Sequence, residues 1–329
     1  MRNRRPESMR NAYASDDGRG RSARTPSDIP ARGWKDVALR VGKDFSQHRI
    51  LSLAAGVTYY ALLAIFPAIA ALVAVYSLFS SPGAIDEHLQ SLSAILPGGA
   101  LQVVGDQIKM LSTQDGKSTG IAFVGGILIA LWSASSGIKA LFDALNVVYD
   151  EPEKRSFIKL AAVALAFTLG AIAFVIIGLA AIVVIPVVLK FINLGPGLEW
   201  IISVARWPLL LVVVALALAV IYRFGPSRAQ PRWRWVSWGS AFASIGWLII
   251  SGLFSWYAAN FGSFNATYGS LGAVIGLMTW LWLSAAVILL GAQVNAELEH
   301  QTARDTTEGP DKPLGRRGAK AADTIGPPQ

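Results

Sequence analysis

Long apolar stretches, separated by short polar segments, run through the whole chain. Residues 51–85 and 160–189 contain no charged side chain, and neither do the 62 positions from Trp235 to Ala296. A helix of about 20 apolar residues spans the roughly 30 Å hydrocarbon core of a bilayer. The last run must form two helices, because residues 258–269 are rich in Gly, Asn, Ser and Thr, which favour turns.

This pattern predicts an all-α polytopic membrane protein with six transmembrane helices. We place the spans at about residues 51–80, 119–142, 160–189, 203–222, 235–257 and 270–294. Residues 81–118 carry apolar side chains at helical intervals on both sides of Pro97, which predicts an outer amphipathic helical hairpin between spans 1 and 2.

Polar segments flank the membrane domain, which we place at residues 34–300. Residues 1–33 are basic and lack apolar periodicity, which is typical of a disordered cytoplasmic tail. Residues 301–329 are predicted to form a second disordered cytoplasmic tail. From Trp34 to Phe45 apolar side chains recur at helical spacing, so we expect an amphipathic helix at the membrane surface that leads into the first span.

Composition and charge indicate the orientation. Of the 329 residues, 53% are hydrophobic and 15% are charged, against about 25% charged residues in soluble proteins. The formal net charge is +8, and 25 of the 29 Lys and Arg residues lie in segments that are cytoplasmic if the N-terminus is inside. The positive-inside rule therefore predicts cytoplasmic N- and C-termini, and the basic charge reflects topology rather than specific nucleic-acid binding. The absence of cysteine excludes disulfides and thiolate metal sites.

Four sequence motifs follow one another along these spans. They are AAGVTYYALLAIFPAIAALVAVY at 54–76, LWSASSGIKALFDALNVVYDEPEKRSFIKL at 131–160, YRFGP at 222–226 and FNATYGSLGAVIGLMTWLWLSAAVILLGAQVNAELE at 264–299. With these motifs the chain resembles the YihY/BrkB family of bacterial inner-membrane proteins over about residues 35–300. The resemblance implies six transmembrane helices and residence in the inner (cytoplasmic) membrane. Members of that family have been described as virulence or serum-resistance factors, as transporters of lipid-like molecules, and under the label ribonuclease BN.

The residues themselves do not favour the ribonuclease label. Hydrolysis of RNA needs a metal cluster or positioned general acids and bases, yet His48, His88 and His300 lie in three separate segments without metal-binding spacing. The acidic residues around Asp150 lie among Lys139, Lys154, Arg155 and Lys159, as in a solvated, charge-balanced loop. We therefore predict no enzyme activity, no cofactor and no metal site.

The clearest polar stripe continues the second span towards the cytoplasm. Lys139, Asp143 and Asn146 share one helix face, and Ser135 and Ser136 lie one turn deeper. In a structural interpretation, Lys139 pairs with Asp143, and Asn146 caps the helix or bridges to a neighbouring one. In a functional interpretation, the stripe is a polar entrance at which Lys139 meets an anionic headgroup.

A serine face and two further polar residues complete the candidate substrate pathway. The fifth span has serines at helical spacing, including Ser244 and Ser251, a pattern that favours helix packing over the lining of a polar cavity. Tyr268 lies just before the sixth span, and Gln293 lies near its inner end.

Glycines, prolines and aromatic residues mark places where helices approach, bend or meet the membrane border. Gly269, Gly272 and Gly276 form a small-residue groove that favours packing, and Pro67 and Pro186 are candidate kinks or hinges. Aromatic residues near the predicted inner borders are interpreted as interfacial anchors, namely Tyr59, Tyr60, Tyr222, Trp233, Trp235 and Trp238.

Together these features lead to a hypothesis about function. The predicted membrane core holds no ionisable side chain, which disfavours an ion-coupled pump, and the chain has no phosphate-binding loop for ATP. We expect a transporter or flippase of a lipid-like or amphiphilic molecule, which has membrane lipids as partners and takes its cargo from the cytoplasmic side. The alternative is a non-transporting membrane scaffold that recruits envelope or cytoplasmic partners through its basic N-terminal tail. An unidentified envelope partner and a homo-oligomer are both left open as partners.

Overall fold

The part of the chain that the structure describes is built from α-helices. The structure is a computed structural model, and it describes residues 18–77, 119–192, 196–260 and 272–329. After a 3₁₀ turn at Pro26–Asp28 the helices are α1 Ala31–Gln47, α2 Ile50–Ser77, α3 Thr119–Val148, α4 Phe157–Ile192, α5 Pro196–Phe224, α6 Trp233–Asn260, α7 Gly272–Gln301 and α8 Lys320–Asp323. Over these ranges the only β-type pairing is an isolated bridge between Pro231 and Thr307. The all-α prediction is confirmed.

Several of these helices are long and apolar enough to cross a membrane. Within the described ranges, four stretches meet that condition: Leu128–Val148, Phe157–Ile176, Trp233–Ala258 and Val274–Gln301. A fifth candidate combines α1 with the first part of α2, although the two are bent by 60° at Arg49, whose φ of 49° lies in the left-handed region. The apolar part of α5, Pro208–Phe224, is shorter. The predicted outer hairpin at 81–118 lies outside the described residues.

The packing order of the helices places α7 at the centre of the bundle. Helix α7 packs against α6, α2 and α1, while α3 packs between α2 and α4, and α5 packs against α6. The buried core between them includes Ile50, Leu145, Tyr222 and Leu289. Large apolar side chains such as Leu253 remain exposed around the perimeter. An apolar outer surface of this kind is what a lipid environment requires, since lipid tails offer no polar partners.

The closest approach between described helices is made by glycines of α6 and α7. A Cβ atom on Gly239 would overlap the carbonyl oxygen of Gly291, and the Gly239 N–H donates a hydrogen bond to Asn295 Oδ1 at 2.8 Å. Elsewhere along the same pair of helices, Trp280 Nε1 donates to Ser251 Oγ at 3.1 Å. By contrast, a Cβ atom on Gly276 would meet no described atom within 4 Å. On α7 the tight crossing at Gly291 therefore lies about four turns away from Gly276 of the glycine groove that the pattern favours.

The C-terminal residues pack onto the helix ends, which corrects the expectation of a disordered tail at 301–329. We call residues 302–329 the C-terminal strap. Arg317 is buried there and donates hydrogen bonds to the carbonyl oxygens of Ala303 at 2.7 Å and Arg304 at 2.9 Å, as well as to that of Ala322. Because this guanidinium satisfies several backbone carbonyls at once, a segment with few apolar residues holds a fixed shape.

The described part of the predicted N-terminal tail, residues 18–33, is ordered as well. Arg19 forms a salt bridge with the buried Asp36 at 2.6 Å, and Gly33 packs directly against the Arg19 carbonyl oxygen. The N–H of Ala303 donates to the carbonyl oxygen of Arg21 at 2.8 Å, which ties this segment to the C-terminal strap. Residues 1–17 lie outside the described part of the chain.

Candidate functional site

The charged segments of the chain meet at one end of the bundle. We call this end the polar end; it comprises residues 18–30, 149–156, 225–232 and the C-terminal strap. Backbone hydrogen bonds join the Arg232 N–H to the Thr306 carbonyl at 2.9 Å and the Ala229 N–H to the Gly318 carbonyl at 3.0 Å. The segments that the sequence assigns to the cytoplasm are therefore brought together on a single side.

Asn146 connects the two loops of the polar end. Its side chain is buried, its Oδ1 accepts a hydrogen bond from the Ser227 N–H at 2.7 Å, and its Nδ2 donates to Glu153 Oε2 at 3.0 Å. Ser227 in turn uses its Oγ to accept from the Lys154 N–H at 2.9 Å. The last turn of α3 thereby holds the 149–156 loop and the 225–232 loop at a fixed separation.

Ion pairs hold the acidic side chains of the first loop. Arg155 donates two hydrogen bonds to the Glu153 carboxylate, from Nε at 2.8 Å and from Nη2 at 2.7 Å, and this guanidinium lowers the pKa of Glu153 to about 2. Glu151 is buried and accepts from Lys154 Nζ at 2.7 Å and from the Lys320 N–H at 2.6 Å. The loop is charge-balanced, as its sequence indicates, but its carboxylates are engaged rather than freely solvated.

A cavity of about 400 Å³ opens between these two loops. Residues of the 151–159 region, the end of α5, the 225–230 loop and the strap surround it. Five of its lining residues are cationic: Lys154, Arg155, Lys159, Arg223 and Arg228. The remaining ones are Ser156, Val163, Phe224, Pro226, Ser227, Ala229, Gln230 and Gly318, so no carboxylate lines this cavity in the part of the chain that the structure describes.

The carboxylates that neutralise Arg223 and Arg228 do not themselves line the cavity. Arg223 pairs with Glu308 of the strap, and Arg228 pairs with Glu299 of α7 at 2.6 Å. Among the described residues, Lys159 has no carboxylate partner, and its side chain is exposed at the first turn of α4. The N-terminus of a long helix carries a positive partial charge, which adds to that of Lys159.

A buried salt bridge and a tyrosine ring pack next to this wall of the cavity. The side chains of Arg228 and Glu299 are both 0% exposed, and the Arg228 guanidinium lies 4.2 Å over the Tyr149 ring. Burial raises the pKa of the Tyr149 hydroxyl, so this group stays protonated. The salt bridge and the ring contact offset part of the desolvation of Arg228, whose Nε and Nη1 have no hydrogen-bond partner among the described residues.

The polar stripe of α3 separates into residues with different surroundings. Lys139 Nζ lies 4.2 Å from the centre of the Trp132 ring, and within the described residues it forms no salt bridge with Asp143, which is exposed. Ser135 is buried and donates to the Trp132 carbonyl at 2.6 Å, while Ser136 is half-buried. Among the residues of this stripe, Asn146 is the one that hydrogen-bonds to the two loops around the cavity.

The other candidate residues that the structure describes do not line the cavity. Ser244 donates to the Ala241 carbonyl of its own helix at 2.9 Å, and Gln293 contacts His48 Nδ1 at 2.9 Å where α7 meets α1. Pro67 lies inside α2, Pro186 falls within the bounds of α4, and Gly272 is buried at the start of α7. Tyr268 and Gly269 lie outside the described residues.

Two of the proposed interfacial anchors are core residues instead. Tyr222 is fully buried and donates from its hydroxyl to the Ile288 carbonyl at 2.7 Å, and Trp235 is 1% exposed. Tyr59, Tyr60, Trp233 and Trp238 are exposed, as anchors would be.

Sequence reasoning missed the buried salt bridges of the polar end. Glu297 and Glu299 follow the predicted sixth span, and both are buried and paired, Glu297 with Arg40 and Glu299 with Arg228. The sequence carries only indirect information about these pairs. Helix α7 continues to Gln301, so the acidic side chains of its last turns need polar or basic partners from other segments.

Helices with an apolar perimeter and one charged end define a polytopic α-helical membrane protein. The chain matches the family model described as Virulence factor BrkB over residues 41–315, and it belongs to that family.

Curated relatives agree with this assignment. The chain is 31% identical over 281 residues to YfkH of Bacillus subtilis (strain 168), covering 81% of this chain and 96% of that protein, whose name calls it ribonuclease-like. A UPF0761 membrane protein of Haemophilus influenzae (strain 86-028NP) is 24% identical over 269 residues, covering 80% and 96% of the two chains. One of Nitrosospira multiformis is 26% identical over 274 residues, and the chain spans 61% of its length. No solved structure matches the chain.

Proposed function

We propose that the chain is an inner-membrane protein with six spans and cytoplasmic termini that moves a lipid-like or amphiphilic molecule. Helices α2 to α7 cover the six apolar stretches of the sequence. The four segments that carry most of the Lys and Arg residues meet at the polar end, in keeping with a shared cytoplasmic side. In this topology the sequence assigns the 81–118 segment to the outer side.

The observation that carries the proposal is the basic cavity beside an apolar perimeter. Lys159 lies at the cavity, while Phe157 and Ile158, the two residues before it, are 70% and 78% exposed. Phe224 and Val163 bring apolar surface to the cavity itself. A polar pocket next to exposed apolar side chains suits a molecule with a charged head and a hydrocarbon tail.

Ribonuclease activity is not part of the proposal. His48 contacts Gln293, and His300 contacts Glu297 at 3.0 Å, so both histidines are engaged in the packing of α7. Within the described residues no group of three His, Asp or Glu side chains could hold a metal ion. The ribonuclease-like name of the Bacillus relative is therefore not extended to this chain.

Transbilayer movement of lipid tests the proposal directly. The purified full chain is reconstituted into liposomes that contain tail-labelled lipids with anionic or zwitterionic headgroups, and an impermeant reagent quenches the label in the outer leaflet. We expect at least one lipid to become fully accessible faster than in protein-free liposomes. No acceleration for any lipid would refute transport and leave the scaffold alternative.

The orientation has its own test, because the chain contains no cysteine. Any cysteine introduced by mutation is then the single thiol of the protein. We expect an impermeant thiol reagent added to intact cells to label His88→Cys but not Gln230→Cys, which lies at the polar end. Labelling of Gln230→Cys alone would reverse the proposed topology.

A further inference from the structure

We propose that the basic cavity binds the phosphate group of an anionic membrane lipid, with Lys159 as its main charged contact. This inference rests on the proposed function, which supplies the lipid as cargo. Binding of the lipid in the cavity does not itself require movement across the membrane. The inference also moves the headgroup contact from Lys139, which lies against Trp132, to a separate set of residues.

The charge balance around the cavity favours an anion. Arg155, Lys154, Arg223 and Arg228 each form a salt bridge with a carboxylate that does not line the cavity. Lys159 is left as the cation without a described partner, and the N-terminus of α4 adds a positive partial charge beside it. An anionic phosphate would neutralise this excess, whereas a zwitterionic headgroup would bring a second positive charge to the same wall.

Hydrogen-bond donors are available in the cavity wall. Arg223 is 4% exposed, and its guanidinium is held in place by the Pro231 carbonyl at 2.6 Å, by Glu308 and by the Trp233 ring at 4.5 Å. Its Nε is buried without a hydrogen-bond partner in the described part of the chain. The Ser227 Oγ accepts from the Lys154 N–H, and the Ser227 hydroxyl hydrogen-bonds the Glu153 carboxylate, so Ser227 is already engaged. The exposed Lys159 ammonium also lines the cavity, and it carries three N–H donors that a phosphate oxygen can reach.

The size and lining of the cavity favour a lipid over free phosphate. A volume of about 400 Å³ is in the range of small-molecule pockets and leaves room beyond a single phosphate group. Phe224 and Val163 line part of it, and the exposed Phe157 and Ile158 lie directly before Lys159 on the outer surface. The glycerol and first methylene groups of a lipid would contact this apolar part of the site.

Native mass spectrometry of the full chain in detergent tests the inference. Phosphatidylglycerol and phosphatidylcholine are added separately, and inorganic phosphate is then added as a competitor. We expect phosphatidylglycerol to bind more tightly than phosphatidylcholine. We expect Lys159→Gln to weaken its binding by about fivefold, the effect of one cation near a lipid headgroup. Lys35→Gln, which removes an exposed lysine from α1, should change nothing.

Three results would overturn the inference. These are equal binding of the two lipids, an unchanged affinity in both Lys159→Gln and the double variant Lys154→Gln/Lys159→Gln, and displacement of the lipid by inorganic phosphate at comparable concentration. The last would identify soluble phosphate as the ligand. If binding fails but lipid movement persists, the headgroup site is wrong and transport stands; if binding persists without movement, transport is wrong and the site stands.

Discussion

At the scale of single residues, Asn146 determines whether the two loops of the cavity stay in place. Its amide is the one side chain of the α3 stripe that contacts both loops, through the Ser227 N–H and Glu153. The sequence favours a helix cap or a bridge to a neighbouring helix for Asn146, since an amide past the end of an apolar span needs polar partners. It does not predict which loops are bridged, because the two partners come from different segments of the chain.

Replacing Asn146 by Ala should destabilise the folded protein. The change leaves the buried Ser227 N–H without its acceptor, a loss of about 1–3 kcal/mol. We expect a lower thermal midpoint of the detergent-purified protein, whereas Asp143→Asn, an exposed change on the same helix, should leave the midpoint unaltered. Equal midpoints for Asn146→Ala and the unmodified chain would show that the bridge carries no stability.

The Glu153–Arg155 pair should give a pH-dependent contribution to stability. In the folded protein Glu153 has a pKa of about 2, against an ordinary value of 4.5 for a glutamate. Since the folded-state pKa is lowered, the pair stabilises the fold above about pH 4.5 and loses this effect as the pH falls towards 2. The difference in thermal midpoint between the unmodified chain and Glu153→Gln should be constant from pH 8 to 5 and shrink below pH 4. A difference that stays constant down to pH 3 would contradict the lowered pKa.

At the scale of helices, the crossing of α6 and α7 shows what a sequence pattern can and cannot give. The apolar runs predict the helices, because each must satisfy its own backbone in lipid. They do not predict which glycines touch, since Gly239 and Gly291 lie 52 positions apart and meet only through the packing of two helices. Gly272 and Gly276 have the small-residue spacing that favours a close helix contact. A Cβ atom on Gly276 would nevertheless meet no described atom within 4 Å.

Two glycine substitutions in these helices should have opposite effects. Gly239→Ala places a methyl group against the Gly291 backbone, and overpacking of this kind costs about 1–3 kcal/mol. Gly276→Ala meets no described atom within 4 Å, and replacing a helical glycine by alanine is neutral or stabilising by up to about 1 kcal/mol. Unfolding of both variants in mixed detergent micelles should therefore give midpoints on opposite sides of the unmodified chain, or at least a clear loss for Gly239→Ala alone. Equal midpoints would contradict the crossing.

At the scale of the whole molecule, the C-terminal strap closes the polar end. Contacts between residues far apart in the chain do this: the Arg40 side chain donates to the Pro327 carbonyl at 3.2 Å, and the Arg21 side chain donates to the Gly326 carbonyl at 2.7 Å. Low apolar content made residues 301–329 look disordered, because composition does not reveal that buried arginines elsewhere can satisfy their carbonyl groups. Segment charges were enough to place the strap on the same side as the other basic segments.

Removing the Arg317 guanidinium should release the strap. Its hydrogen bonds to the carbonyls of Ala303, Arg304 and Ala322 are lost in Arg317→Ala, whereas the neighbouring exposed Arg316 serves as a matched control. Limited proteolysis followed by intact-mass analysis should show faster cleavage between residues 302 and 329 in Arg317→Ala than in Arg316→Ala. Identical cleavage rates would mean that the strap is held by other contacts.

The central claim is that lipid movement depends on the cation at the cavity. The most direct measurement compares transbilayer movement of tail-labelled phosphatidylglycerol in liposomes that contain the unmodified chain, Lys159→Glu or Lys35→Glu at equal reconstituted amounts. We predict that the unmodified chain and Lys35→Glu accelerate movement, and that Lys159→Glu falls close to the protein-free rate because a carboxylate repels the headgroup. Movement by Lys159→Glu at the rate of the unmodified chain would contradict the account.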